Sequence, residues 1–259
     1  MRAIRVLKRQ MVYVIPAVML MAALGLRIEN PQFLQTFQLK LFDLYNQFQP
    51  REYQPVPVAT LDLDDETLSR SGLQWPWPRS KLADMLARLF NAGAKVVAFD
   101  VVFAEPDRTS PRQALSIWLN QPTLDMDTLS PEARAFSKPI IDSIPDHDEV
   151  FANIIGQIRD AARDHGVVAG IVLTNDISKN KPLIKAGFAI NGDDPLPFLD
   201  NFVGSVVNLP SIEAAASGVG SFNLSPETDG IIRRVPTFLR IGEKIYPSLS
   251  MEALRVFQG

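Results

Sequence analysis

The sequence contains no cysteine and only two histidines, His147 and His165. Without cysteine the fold has no disulfide bonds, and both cysteine-based zinc sites and thiol catalysis are excluded. The motifs G-x-x-x-x-G-K-[ST], H-E-x-x-H and G-x-S-x-G are also missing. Any catalysis would have to use carboxylates, hydroxyls or a metal, and we predict that this chain is not itself an enzyme.

The chain also lacks a strong excess of charge. Its 259 residues carry a formal net charge of −3, and 46% of them are hydrophobic, which suits one globular domain with a sizeable core. The first nine residues hold four basic side chains and no acid, so the remainder is more acidic than the total suggests. A body of that sign is a poor match for nucleic acid and favours a cation as ligand.

Residues 11–27 are predicted to anchor the chain in a membrane. Their uncharged part, residues 11–26, spans roughly 24 Å as a helix, and flanking basic side chains can extend it towards the ~30 Å hydrocarbon core. The basic segment 1–10 should stay in the cytoplasm, and the chain after the anchor should be translocated. Two alternatives stay open: a signal peptide cleaved near residues 23–25, which leaves the body on the same side, and a buried core helix.

Residues 28–54 are predicted to form a juxtamembrane amphipathic helix. Its apolar residues recur at intervals of four and three and therefore share one face. This apolar stripe consists of Phe33, Phe37, Leu41, Leu44 and Phe48. The stripe either packs on its own domain or forms the seam of a homodimer, and the sequence leaves both open.

Residues 55–259 alternate apolar runs with amphipathic helices. This order predicts an α/β domain with a mainly parallel sheet, flanking helices and a C-terminal hairpin. The first strand is predicted at 58–63, a helix at 80–91, and a strand buried on both faces at 95–103. The later elements are a helix from about 148, a strand over 167–174, a hairpin turning at 242–243 and a closing helix over 248–257.

Residues 104–146 interrupt this alternation with a proline-rich insertion. A loop of this length inside a compact domain is usually functional or mobile. The insertion is either a flap over the edge of the sheet or an addition without a role, and the sequence favours neither.

Acidic residues follow the predicted strands. Asp62 and Asp64 lie at the end of the first strand, Asp100 lies within the second apolar run, and Asp107 follows it. Because ligands of open parallel sheets bind at the carboxyl ends of the strands, we expect these four residues to line a ligand site. Asp62, Asp64 and Asp100 would suit calcium or magnesium as a metal. The alternatives are helix caps and ion pairs with nearby arginines.

Trp75 and Trp77 alternate with two prolines. The prolines hold the segment extended, and the alternation is expected to point both rings to similar sides. The two rings form either a buried lead-in to the following helix or the aromatic wall of a ligand pocket, so both are candidate ligand-binding residues.

Three segments resemble the second family of CHASE domains, which are extracellular sensory domains associated with cyclases and histidine kinases. They are residues 58–107 with WPWPRS and GAKVVAFDVVF, residues 145–155, and residues 220–254 with DGIIRRVP and YPSL. The resemblance implies a sensor behind an N-terminal anchor, followed in the full protein by membrane helices and a cytoplasmic output domain. The chain looks most similar to the cyclase-linked kind, in a bacterial inner membrane with the sensor in the periplasm. The resemblance assigns no ligand.

The sequence therefore supports two hypotheses. In the first, the chain is the sensory input domain of a membrane receptor, and its small ligand, ion or periplasmic partner is unknown. In the second, the chain is a dimerisation or protein-docking module without a small ligand.

Overall fold

The computed structural model describes residues 2–119, 139–140 and 142–259, which divide into two compact units. The N-terminal unit comprises the residues up to Leu61 together with Ser225–Arg233. The α/β unit comprises Asp62–Leu224 and Arg234–Gly259. A short segment from the C-terminal half of the chain thus belongs with the N-terminal helices.

The N-terminal unit contains two helices, α1 (Arg2–Glu29) and α2 (Gln32–Phe48). Asn30 separates them in a left-handed conformation with φ 41°, which asparagine tolerates better than most residues. By length and composition, no single helix in the described ranges qualifies as a membrane span. Tyr13–Glu29 and Gln32–Phe48 qualify only as a pair, with a bend of 81° between them. The transmembrane helix therefore stays a prediction.

The α/β unit combines short helices with two small sheets. Its helices are α3 (Asp65–Ser71), α4 (Arg79–Asn91), α5 (Pro111–Leu119), α6 (His147–Ala161), α7 (Pro210–Ala215) and α8 (Leu249–Gln258). Its strands are β1 (Val96–Phe99), β2 (Gly166–Thr174), β3 (Asn201–Phe202), β4 (Gly204–Val206), β5 (Gly218–Ser221), β6 (Phe238–Ile241) and β7 (Lys244–Pro247).

Strand β2 organises the larger sheet. Strands β1 and β5 pair with it in parallel, and β4 pairs antiparallel with its last three residues. In the smaller sheet, β6 is parallel to β3 and antiparallel to β7. The α/β class and the C-terminal hairpin, which turns at Gly242-Glu243, are confirmed, but the sheets are mixed and the dominance of parallel pairing is not confirmed.

Two predicted strands differ from the structure. Residues 58–63 form no strand, and the chain is irregular up to Asp64. The predicted strand 95–103 shortens to β1, in which Ala98 is exposed. Strand β1 pairs with β2 alone among the described strands, so it lies at the edge of the sheet, where an apolar run is covered less completely. An apolar run by itself does not reveal whether a strand is central or at an edge.

The insertion is described only in part. Its first helix is α5, residues 139–140 and 142–143 are also helical, and α6 follows the insertion. Residues 120–138 and 141 lie outside the described residues. The two alternatives for the insertion, a flap and an addition without a role, fall on these residues and stay predictions.

The main core of the α/β unit lies between the larger sheet and helices α4, α6 and α7. Three aromatic rings form its centre: Phe99, Phe103 and Phe151 pack edge to face, with centroids 5.2–5.8 Å apart. A second cluster, which includes Ile171, Leu239 and Tyr246, joins β2 and β5 to the β6–β7 hairpin. Both clusters meet on β2.

Gly170 allows the close packing around β2. A methyl group on Gly170 would come within 2.7 Å of the Phe222 ring and still closer to the carbonyl oxygen of Phe99. The carbonyl belongs to the neighbouring strand and cannot move aside without disturbing the ladder. Gly156, within α6, has open space at the same position.

We predict that Gly170→Ala lowers the free energy of unfolding by about 1–3 kcal/mol, because it overpacks the core. Gly156→Ala should raise it by about 0.5–1 kcal/mol, because alanine favours the helix. Urea unfolding of both variants in non-ionic detergent measures the difference. Equal stabilities would contradict the packing described at β2.

Candidate functional site

A network of buried polar side chains lies where three helices begin in the α/β unit. We call it the Asp107 hub; its members are Arg79, Asp107, Ser110, His147 and Asp148. Arg79 begins α4, Asp107 and Ser110 lie between β1 and α5, and His147 and Asp148 begin α6. Arg79, Asp107, Ser110 and Asp148 are each at most 8% exposed. The hub therefore joins three segments that are far apart in the sequence.

Asp107 accepts four close contacts from inside the protein. Its Oδ2 accepts the amide of Arg79 at 2.7 Å and lies 3.2 Å from Nδ1 of His147. Its Oδ1 accepts the amide of Thr109 at 2.9 Å and the hydroxyl of Thr109 at 2.6 Å. An ionised carboxylate has about four acceptor positions, so Asp107 has little capacity left for an added ligand.

Asp148 and Arg79 complete the hub. Oδ2 of Asp148 accepts the amide of Asp107 at 2.8 Å, and its Oδ1 lies 3.4 Å from Nε of Arg79. Among the described residues, neither Oδ1 of Asp148 nor Nε of Arg79 has a hydrogen bond, so the two side chains interact as an ion pair. The guanidinium carbon of Arg79 also lies 4.3 Å from the centre of the Phe103 ring, a cation–π contact.

The pKa values of the two carboxyl groups of the hub are shifted in opposite directions. Burial raises the pKa of Asp148, and the Asp107 amide and the Arg79 charge offset this only in part. Burial would also raise the pKa of Asp107, but the donors from Thr109, Arg79 and His147 outweigh it and lower the pKa. Ionised Asp107 therefore stabilises the fold above the ordinary carboxyl pKa, and this stabilisation is lost as the pH falls through the lowered pKa.

The predicted acidic residues do not gather in one site. Asp62 and Asp100 are exposed, and Asp100 lies just after β1 rather than within a buried strand. Asp64 caps α3, where its Oδ1 accepts the amide and the hydroxyl of Thr67. In the described part of the chain, no three His, Asp or Glu side chains are arranged to hold a metal ion. A bound calcium or magnesium ion stays a prediction.

The two tryptophans have different environments. Trp77 is 7% exposed and belongs to the main core, whereas Trp75 is 42% exposed. The two rings therefore differ in burial, and the expectation that they point to similar sides stays a prediction. The core contains the Trp77 ring, which matches the buried lead-in to α4. Of the two rings, only that of Trp75 stays accessible to a ligand.

The N-terminal unit has its own charged cluster, which we call the Arg233 clasp. The guanidinium of Arg233 pairs with both carboxylate oxygens of Asp43 on α2, at 2.7 Å each. It also donates to Asp229 at 2.7 and 2.9 Å and to Glu227 at 3.2 Å. The Arg233 hydrogen bond lowers the pKa of Asp229 to about 2 and also lowers that of Asp43. The clasp fastens residues 225–233 to α2.

Of these two clusters, the sequence predicted only Asp107 as a site residue, and it predicted none of the contacts. The segments WPWPRS and DGIIRRVP were noticed as patterns, and they contain Arg79 and Arg233. The partner of Arg233 on α2 is 190 residues away, so no local pattern identified it. Asn208 was missed entirely; it donates to the carbonyl of Gly170 and accepts the amide of Phe103 across the sheet edge.

The fold and its clusters define an α/β domain in which two charged clusters join segments that are distant in the sequence. The family model of the CHASE2 domain matches residues 17–259. The chain therefore belongs to the CHASE2 domain family, whose members are extracellular sensory domains of signalling proteins. No curated protein and no solved structure matches the chain significantly.

We predict that Asp107→Asn lowers the free energy of unfolding by about 3–5 kcal/mol. The substitution removes a buried negative charge that four donors contact and that attracts the Arg79 guanidinium. Asp62→Asn and Asp100→Asn, at exposed positions, should change it by less than about 0.5 kcal/mol. Chemical unfolding of the three variants tests this. A small effect of Asp107→Asn would show that the hub contributes little to the fold.

Proposed function

We propose that this chain is the extracytoplasmic sensory input domain of a bacterial membrane receptor that regulates a cytoplasmic nucleotide cyclase. Membership of the CHASE2 domain family is the observation that carries the proposal. The buried carboxylates of Asp107, Asp148 and Glu252 are engaged by backbone amides and arginines, which is the pattern of structural side chains.

The surface of α1 supports a membrane anchor at residues 11–27. Every described side chain of this helix from Tyr13 onwards is exposed, including Met19 at 68% and Leu20 at 62%. Uncovered apolar surface on this scale is unfavourable in water, and a bilayer would cover it. In this proposal residues 1–10 stay in the cytoplasm, the anchor lies in the inner membrane, and the body lies in the periplasm.

The Arg233 clasp gives the proposed receptor a route for its signal. Residues 225–233 connect β5 and β6 of the α/β unit along the chain, and the clasp fastens them to α2. A ligand that binds one conformation of this connection better than another would change how α2 is held. Helix α2 directly follows the proposed anchor, so the change would reach the membrane.

The proposed location can be tested by fusing reporters after Gly259. Alkaline phosphatase is active only outside the cytoplasm, and green fluorescent protein exported by the general secretory route does not fluoresce. We expect high phosphatase activity and no fluorescence, and the reverse when residues 2–29 are deleted. Fluorescence from the intact chain would contradict the proposal.

The second candidate function is dimerisation through α2, because this helix buries none of its residues. On its apolar stripe, Phe33, Phe37 and Phe48 are 68%, 58% and 79% exposed. At roughly 200 Å² per phenylalanine, these three rings offer about 400 Å² per chain. Two chains would bury about 800 Å² through them, less than the ~1,200 Å² of a typical stable interface. A dimer therefore needs the high local concentration that a shared membrane supplies.

The absence of cysteine makes the dimer easy to test by disulfide cross-linking. Leu44→Cys introduces one thiol on the stripe, and Asn46→Cys introduces one on the opposite side of α2. We expect oxidation in membranes to cross-link Leu44→Cys chains much faster than Asn46→Cys chains. Equal rates would contradict a dimer through the stripe.

The same assay tests the clasp. Arg233→Gln, added to Leu44→Cys, should change the cross-linking rate, because it frees α2 from residues 225–233. Arg108→Gln, at an exposed arginine paired with Glu105, is the matched control and should not. An unchanged rate with Arg233→Gln would show that the clasp does not position α2.

A further inference from the structure

A cavity of about 430 Å³ in the α/β unit has a wall rich in basic residues. We call it the basic cavity. The charged and titratable side chains of its wall are all basic: Arg159, Arg163, His165, Lys185 and Arg255. Gly259, which carries the terminal carboxylate of this chain, also lines the wall. Sites for small molecules commonly have volumes of about 300–1,000 Å³. This cavity shares no residue with the Asp107 hub or with the acids predicted from the sequence.

Two of these cations are held close together. Nζ of Lys185 donates to the carbonyl oxygen of Ala214 at 3.0 Å, and Nη1 of Arg159 donates to the same oxygen at 3.1 Å. The two nitrogen atoms are therefore at most about 6 Å apart. Burial lowers the pKa of Lys185, and the charge of Arg159 lowers it further. The nearby carboxylate of Glu213 acts in the opposite direction on Lys185, and Asp160 pairs with Arg159 at 2.9 Å, so the repulsion between the two cations is offset in part.

Capping of α7 explains only part of this arrangement. Cations are favourable at the carboxyl end of a helix, and Ala214 and Ala215 are the last residues of α7. Arg255 is neutralised by the buried carboxylate of Glu252, with which it pairs at 2.8 and 2.9 Å. Capping does not explain Arg163, which has no hydrogen bond or ion pair within the described ranges although it lines the cavity.

The cavity also contains unused hydrogen-bond donors. Ser217 contributes none of them, because its hydroxyl is buried against Gly166 although the residue lines the cavity. Arg159 binds carbonyls through Nη1 and Asp160 through Nε, which leaves its Nη2 for another acceptor. Lys185 uses one of its three N–H groups. An acceptor that serves all of these donors must carry several oxygen atoms.

We propose that the basic cavity binds a small oxyanion with at least two negatively charged oxygens, of the phosphate or phosphate-monoester class. Arg159, Arg163 and Lys185 would supply the positive charge and the hydrogen-bond donors. Charge-assisted hydrogen bonds of this kind are about twice as strong as neutral ones. The anion also relieves the repulsion between Arg159 and Lys185. This site goes beyond the proposed function and does not depend on it.

Isothermal titration of the whole chain in non-ionic detergent with inorganic phosphate tests the site, with sodium chloride at matched ionic strength as reference. We expect saturable binding of one phosphate per chain. Arg163→Gln should weaken it, and Arg163→Gln with Lys185→Gln should weaken it at least about tenfold, the effect of losing charged contacts. Arg88→Gln removes an exposed arginine from α4 and should leave the affinity unchanged.

Two results would overturn the proposal. One is the absence of saturable binding up to about 10 mM phosphate, and the other is equal affinity in the Arg163→Gln and Arg88→Gln variants. Arg163 makes no bond in the described structure, so Arg163→Gln should melt at the temperature of the unchanged chain when phosphate is absent. Arg163→Gln therefore decides the question alone if the double variant fails to fold.

Discussion

The buried carboxylate of Asp107 is the constraint on which the α/β unit depends. It holds the first amide of α4, orders the turn that leads to α5, and lies beside His147 at the start of α6. A buried charge is tolerated only when donors surround it, so these three helix starts must keep their relative positions. Arg79 connects the hub to the aromatic centre formed by Phe99, Phe103 and Phe151, because it contacts both Asp148 and the Phe103 ring. The hub therefore links the starts of three helices in the α/β unit through internal contacts.

Three arginines show how the same side chain takes different roles in this protein. Arg79 is buried against Asp148 and an aromatic ring, and it stabilises the core. Arg233 is paired with three carboxylates and fastens a distant segment of the chain to α2. Arg163 lines a cavity without any partner in the described residues. The distribution of partners, and not the charge itself, separates a structural role from a binding role.

The N-terminal unit and the α/β unit differ in how completely they cover their apolar residues. The α/β unit buries its large side chains in two clusters, whereas α1 and α2 expose most of theirs. Exposed apolar area of this extent is unfavourable in water. This contrast supports the proposed membrane anchor at residues 11–27 and the proposed dimer through α2.

The sequence by itself determined the α/β class, the positions of α4, α6, β2, the hairpin and α8, and the CHASE2 family. These features are local: apolar periodicity and short motifs encode them within a few turns or one strand. The tertiary structure decided that 58–63 is no strand, that Trp75 and Trp77 face different environments, and that Asp107 rather than Asp62, Asp64 or Asp100 is buried. It also decided that Arg79 meets Asp107 across 28 residues and that Lys185 and Arg159 share one carbonyl oxygen. Burial and charge pairing depend on which segments meet in space, and a single sequence does not record those meetings.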